Sequence, residues 1–317
     1  MVLERFLEML LVERGAAANT LAAYRRDLLD FAAFLGGEGR LSEASAREVR
    51  AYLVELEGRG LKASTAARRL SALRRFYRFL YLEGVRKDDP TIGIDRPRLP
   101  RPLPKYLAEA EVEALIRAAR RWSGPGALRL LVLVELLYGT GLRVSELVGL
   151  PLSALADDLG HLRVVGKGGR ERLVPLGEPA REALRAWLKA RGQQPGARAS
   201  PYLFPSRGRS GHLTRQRALQ LLKELACRAG LDPARLSPHV LRHAFASHLV
   251  AHGADLRVVQ TLLGHADIAT TEVYTHLQPG RLQQVVTAHH PLAKEGPAPE
   301  GAEDPGRSDR CAGVDSL

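Results

Sequence analysis

The stretch SPHVLRHAFASHL at 237–249 carries the densest chemical signal in this 317-residue chain. Ser237 is a good N-cap and Pro238 a natural first helical residue, which puts His239 and Arg242 in the first turns of a helix. Unpaired backbone N–H groups and the helix dipole favour a phosphate at such an end. At about 100° per residue, His239, Arg242 and Ala246 share one face while Leu241, Ala244, Phe245 and His248 form the other. The pattern predicts a presented polar face over a buried apolar one, and taken alone it also fits a plain basic surface helix. A metal site is the competing chemistry, because His239 and His243 are four apart. The zinc-protease pattern needs Glu after its first His, where this chain has Val240, and no Asp, Glu or Cys nearby completes a ligand set. No metal is expected.

Lys167 lies in a GKGG turn at 166–169. A P-loop would need Gly at 161 and Ser or Thr at 168, and the chain has His161 and Gly168 there. The residues that follow alternate like a strand, so nucleotide binding is not expected and Lys167 reads as the tip of a β-hairpin, able to swing into a site built by other elements. Arg143 and Glu146, three apart after the glycine break at 139–141, are a weak signal alone. The LLGH stretch at 262–265 reads as a helix end with His265 just beyond it, and Tyr274 follows in TTEVYTH. A lone tyrosine of this kind fits core packing as well as chemistry.

The elements that must position these residues fall into two groups. Residues 89–104 hold five prolines among basic residues, which removes backbone donors, favours extended chain and reads as an interdomain linker. Before it, helical periodicity follows Asn19, a candidate N-cap, through Leu21, Tyr24, Leu28, Phe31 and Leu35. A second helix over 64–82 turns Leu70, Leu73, Phe76, Tyr77 and Leu80 to the core, and ends at Gly84. Its Arg68, Arg69, Arg75 and Arg78 lie largely elsewhere, with few acids beside them, as a solvated or a phosphate-contacting surface. After the linker come helical patterns at 109–121, 128–138 and 143–150, β-compatible runs at 161–165 and 170–176, and further helices at 178–190, at 214–229 and from 237 onward. Residues 294–317 read as a disordered acidic tail.

The formal charge is +12, from 47 Lys+Arg against 35 Asp+Glu. Six acids and two arginines make 295–317 net −4 and leave +16 on the rest, which favours a polyanionic partner. Forty of the cations are Arg and seven Lys, a skew that genome base composition also produces. At 45% hydrophobic and 26% charged the chain is neither disordered nor fibrous. Its longest apolar run, 130–138, is interrupted by Glu135 and falls far below the roughly 20 residues of a membrane span. Glu4, Arg5, Glu8 and Glu13 break any secretory h-region, so a cytoplasmic protein is expected. Cys227 and Cys311 have neither CxxC nor metal-ligand spacing and are expected to be unpaired thiols.

As a set the residues resemble the tyrosine recombinase (phage integrase) family, Xer branch. The matching stretches are GLRVSEL at 141–147, GKG at 166–168 with ERLVPLG at 171–177, SPHVLRHAFASH at 237–248, LGH at 263–265 and VYTH at 273–276, with Thr20, Tyr24, Asp27 and Leu28 in the N-terminal part. Five dispersed elements in order make the resemblance specific, and it covers residues 1–293; the 171–177 stretch and the ending His289-His290-Pro291 look more like XerD than XerC. The resemblance implies a mainly α fold. A helical core-binding (SAM-like) DNA-binding domain at 1–88 and an α+β catalytic domain with a small antiparallel sheet at 105–293 would form a C-shaped DNA clamp, the Arg68–Arg78 helix supplying DNA contacts.

It also implies a site-specific recombinase that cuts and rejoins DNA through a 3′-phosphotyrosyl intermediate, with Tyr274 as nucleophile, His239 as its proton acceptor and Lys167 as proton donor to the leaving 5′-oxygen. Arg143, Arg242 and His265 would hold the phosphate, and Glu146 would orient the site. The ester keeps the bond energy, so no cofactor is implied. The implied partners are a double-stranded recombination site, an XerC-like paralogue in a heterotetramer and the FtsK translocase, in chromosome dimer resolution. Residues 281–290 resemble the terminal helix that docks on a neighbouring protomer. A type IB topoisomerase-like enzyme would share the cleavage chemistry, and a DNA-binding protein with a decayed site would share the surface.

Overall fold

The computed structural model describes residues 2–97, 106–166, 169, 171–194, 196–264 and 279–291, the last with backbone only at 279–283. The chain forms two compact units, Met1–Leu103 and Pro104–Leu317.

The first unit is built on α1 (Val2–Val12), α2 (Ala18–Leu35), α3 (Ala46–Gly58) and α4 (Ala63–Leu82). The α4 residues Leu70, Leu73, Phe76, Tyr77 and Leu80 are all buried, as their spacing predicts, and they meet Phe6 of α1, Phe31 of α2 and Tyr52 of α3. Periodicity alone left α1 and α3 unread. The latter opens on a reciprocal capping box, in which the Glu48 N–H donates to Ser45 Oγ (3.3 Å) and the Ser45 N–H donates to Glu48 Oε2 (2.8 Å). Asn19 does not cap α2; the helix starts at Ala18, and the preceding Ala17 offers no side-chain acceptor. Residues 89–94 turn back rather than run extended, with Thr91 N–H on Asp89 Oδ1 (2.8 Å), and Ile94 joins the core of this unit.

In the second unit α5 (Glu109–Arg121) and α6 (Ala127–Thr140) lead into the short α7 (Val144–Val148). The sheet follows: β1 (His161–Val165) pairs antiparallel with β2 (Glu171–Pro175), with Val165 opposite Glu171 at the turn end. Then come α8 (Glu178–Gly192), α9 (Arg215–Arg228), α10 (Pro238–Ala251), α11 (Leu256–Leu263) and α12 (Pro279–His289). Leu130, Val132, Leu133, Leu136 and Leu137 of α6 are fully enclosed, making this helix the axis around which α5, α8 and α10 pack. None of the described helices is long and apolar enough to cross a membrane.

Within this single chain α12, the helix that resembles a protomer-docking element, packs on its own unit: Val286 and His290 are buried, and the His290 ring lies 4.8 Å from that of Tyr138 and 5.7 Å from that of Phe245. His289 Nδ1 sits 2.6 Å from the His252 carbonyl, so within a single chain the helix covers the apolar surface of α6 and α10. Cys227 is not the unpaired thiol expected, since it is disulfide-bonded, and Cys311 lies outside the described residues.

Candidate active site

Local chain stereochemistry sets up the site. Helix α6 ends at Gly141, whose φ of +60° suits glycine and whose Cβ position would overlap the Phe245 ring and lie 2.9 Å from Leu263 Cδ2. This close approach turns the chain into α7, with Arg143 at its N-cap. The Arg143 N–H donates to Glu146 Oε2 (2.9 Å), and its Nη1 donates to Glu146 Oε1 (2.9 Å). Arg172, from β2, approaches the same carboxylate from the other side, Nη1 to Oε1 at 3.2 Å and Nη2 to Oε2 at 2.8 Å, in the fork geometry that suits Arg. Burial alone would push the Glu146 carboxyl up, yet the Arg172 hydrogen bonds and the Arg143 N–H together hold it below the usual range.

Helix α10 is capped by Ser237, whose Oγ accepts from the Val240 N–H (3.3 Å), and Pro238 opens it as the sequence predicts. His239 is exposed in its first turn. Arg242 departs from the expected presented face. It is only 7% exposed, because its guanidinium reaches inward to donate to the carbonyls of Gly141 and Leu263, each at 2.6 Å. His248 is buried as expected, satisfied by the Tyr138 hydroxyl and the Leu107 carbonyl, each at 2.9 Å.

Three arginines thus converge on one helix end. Arg172 Nε donates to the Leu262 carbonyl (3.2 Å), Arg242 to that of Leu263 and Arg143 Nη2 to that of Gly264 (3.2 Å). These successive carbonyls close α11, where acceptors are left over and the dipole is negative. Gly264, at φ +65°, ends the helix as a left-handed cap, and a Cβ there would lie 3.2 Å from the Arg172 side chain. His265 is the next residue in the chain.

The cluster carries three guanidiniums and one carboxylate, a net excess of cation around a partly enclosed space. Burial, with Arg143 close by, pushes the Arg242 guanidinium down to about 10, so it stays charged at neutral pH. A bound anion would offset that desolvation. A cleft lined by Arg143, Ser145, Glu146, Val165 and Gly166 opens beside the cluster and brings the β1–β2 turn against α7. Lys167 follows Gly166 in that turn, and it lies, like His265 and Tyr274, outside the described residues.

Sequence reasoning missed Arg172. Its partners are 26 and 90 positions away, and the only local signal is a cation at a part-buried position of β2, opposite Val164. The arginines of α4 separate. Arg69 is largely buried, bound to Asp30 and to the Tyr52 hydroxyl (2.7 Å), and Arg68 pairs with the buried Asp27. Arg75, 5.8 Å over the Tyr24 ring, and Arg78 are exposed.

The chain is similar to known proteins along most of its length. Residues 105–281 match the phage integrase family and residues 3–84 the phage integrase N-terminal SAM-like domain. The tyrosine recombinase XerD of Rhizobium meliloti (strain 1021) is 55% identical over 299 residues, covering 92% of this chain and 96% of that protein. The XerD of Caulobacter vibrioides is 52% identical, covering 92% and 97%, and the XerC of Erythrobacter litoralis 53%, covering 92% of each. Among solved structures, the Tn1549 transposon integrase in complex with circular intermediate DNA has a TM-score of 0.66 at 19% identity, covering 84% of this chain and 92% of that one. A lambda integrase dimer on a COC′ core site has a TM-score of 0.63 at 23% identity, covering 84% and 94%. These two show a shared fold. Matched by both family models and by XerD sequences along nearly its whole length, the chain belongs to the phage integrase family of tyrosine recombinases and is an XerD-like site-specific recombinase.

Proposed function

We propose that this recombinase cuts and rejoins DNA through a 3′-phosphotyrosyl intermediate and that it resolves chromosome dimers. The convergence of Arg143, Arg172 and Arg242 on the end of α11 carries the reading, because it creates an excess of fixed donors where a phosphate would gather charge. The Tyr274 phenol oxygen attacks the phosphorus, the bond from phosphorus to the 5′-oxygen breaks, and the strand stays attached through its 3′-phosphate. With an ordinary tyrosine pKa near 10 the phenol is ~99.9% protonated at pH 7, so it needs an acceptor, and His239 fills that role. Lys167, next to Gly166 in the cleft, gives its proton to the departing 5′-oxygen. Arg143, Arg242 and His265 stabilise the non-bridging oxygens, while Glu146 and Arg172 fix the fork of Arg143. Attack by a 5′-hydroxyl from a second site reverses the chemistry and completes exchange without an external energy source.

Both units bind duplex DNA, and in the first Arg75 and Arg78 are the α4 cations left for phosphates. The XerH recombinase has been solved on its difH substrate, which supports a duplex recombination site as the substrate here. An XerC-like paralogue completes a heterotetramer in the cytoplasm, and FtsK activates it. The test is a supercoiled plasmid bearing two copies of the dimer-resolution site of its own genome, incubated with the chain and its paralogue. Exchange products are expected; relaxation without exchange would instead identify a topoisomerase-like enzyme.

A further inference from the structure

No Asp or Glu occurs between Glu182 and Glu224, a stretch holding nine Lys and Arg residues. Several of these have structural work. Arg185 pairs with Glu178, Arg217 with Glu224, and Arg191 donates to the carbonyls of Ser200 (2.6 Å) and Tyr202 (2.9 Å). Lys189, Arg198, Arg215 and Lys223 are exposed with no side-chain ion pair or hydrogen bond among the described residues, and so are Arg207 and Arg209, which stand only two positions apart. These last two occupy the tip of a short hairpin at 205–212.

That tip is braced. Pro205 and His212 form an antiparallel bridge, and the Ser206 N–H donates to the Gly211 carbonyl (3.1 Å). The Gly211 N–H donates to the Gly208 carbonyl (2.9 Å), and Gly211 takes the positive φ the turn needs. Ser210 Oγ donates to the His212 carbonyl (2.9 Å), and the His212 ring packs edge-on against Tyr202 at 4.9 Å. The hairpin is also fastened to the segment leaving α7. The Leu203 N–H donates to the Leu150 carbonyl (2.8 Å), and the Leu152 N–H to that of Pro201 (2.7 Å). Two unpaired guanidiniums are therefore carried on a braced backbone that begins one five-residue helix, about 7 Å, from Arg143. Phosphates along one strand repeat every ~3.4 Å of helix axis, so a duplex seated at the arginine cluster brings others within reach of this flank.

We propose that the 205–212 hairpin is a second phosphate-binding element, in which Arg207 and Arg209 grip the DNA backbone flanking the cleavage position. The proposal rests on the DNA-cleaving reading above. The contacts are electrostatic and carry no base readout, so they add affinity, not sequence preference.

The test measures anisotropy of a labelled 30-base-pair duplex, from 50 to 200 mM salt, with the full chain. Arg207→Ala/Arg209→Ala should make the slope of log K against log salt shallower by about 1.8, which makes the loss of affinity over that range about 12-fold smaller than in the wild type. Arg207→Lys/Arg209→Lys should keep the wild-type slope. Arg185→Ala/Lys189→Ala, which removes the same charge from α8, should leave the slope within about 0.5 of wild type. An unchanged slope in the Arg207/Arg209 alanine variant overturns the proposal, as does an equal change in the α8 variant. If the wild type itself binds duplex without salt dependence, the DNA-cleaving reading fails together with it.

Discussion

Arg172 is the most informative position to perturb, because it joins β2, Glu146 and the end of α11 at once. In Arg172→Ala the Glu146 carboxylate, only 7% exposed, keeps Arg143 but loses both Arg172 donors, and the Leu262 carbonyl loses its partner. Breaking a buried pair by removing one member costs about 3–5 kcal/mol, and the surviving Arg143 contact puts this case near the lower end, at ~3 kcal/mol. For a unit of this size that lowers Tm by roughly 6–12 °C. The Glu146 carboxyl is held below its ordinary range in the folded chain. Its stabilising contribution is therefore complete above the unfolded value, and is lost as pH falls through the folded one. Without Arg172, burial pushes the carboxyl back up, so the acid limb of the cleavage profile should move to higher pH. Displacing Arg143 by even 1 Å should cost about 10²-fold in rate. The assays are thermal melting and cleavage of nicked duplex across pH 5.5–8.5. Glu146→Gln placed in the Arg172→Ala background should recover part of the Tm, by removing the orphaned charge. A Tm within 2 °C of wild type together with an unmoved pH profile would refute the reasoning.

Gly141→Ala combines a left-handed backbone with overlap against Phe245 and Leu263, and should lose about 2–4 kcal/mol and most cleavage, read by denaturant unfolding and adduct yield. Duplex affinity should fall steeply with salt, by about 10³-fold or more between 50 and 200 mM if six or more phosphates are engaged; a flat plot would contradict phosphate-dominated binding. Arg69→Ala should lower the melting temperature more than DNA affinity, since its partners are Asp30 and Tyr52, whereas Arg78→Ala should do the reverse. Burial pushes the His290 imidazole down to about 4, so between about pH 6.5 and 4 the unfolded state binds a proton that the folded state refuses. Stability should then fall with decreasing pH by up to ~1.4 kcal/mol per unit, and His290→Leu should flatten that limb in a melting series.

What was legible in the sequence follows the range of the interactions. The SPH start of α10, the GKGG turn and the glycine ending α11 are local, and the structure has a helix start, a hairpin and a helix end at those places. Long-range partners were not legible. Helical angles put Arg242 on a polar face, but the carbonyls of Gly141 and Leu263, 101 and 21 positions away, draw it inside. Arg69 looked like its neighbours on α4 until α2 supplied Asp30 and α3 supplied Tyr52. The S-x-x-E box of α3 is a local signal of the same kind, while the inner face of α1 is set by the distant rings of Phe76 and Phe79.

The claim at the centre of this account is that Tyr274 bonds covalently to DNA under the control of the arginine cluster. Nicked duplex sites that lose the 5′-hydroxyl fragment on cleavage trap such an intermediate. The wild type should form a slow-migrating protein–DNA adduct that protease removes, Arg242→Ala should form it ~10²–10³-fold more slowly, and Tyr274→Phe should form none. An adduct that persists in Tyr274→Phe would place the nucleophile elsewhere and contradict the account.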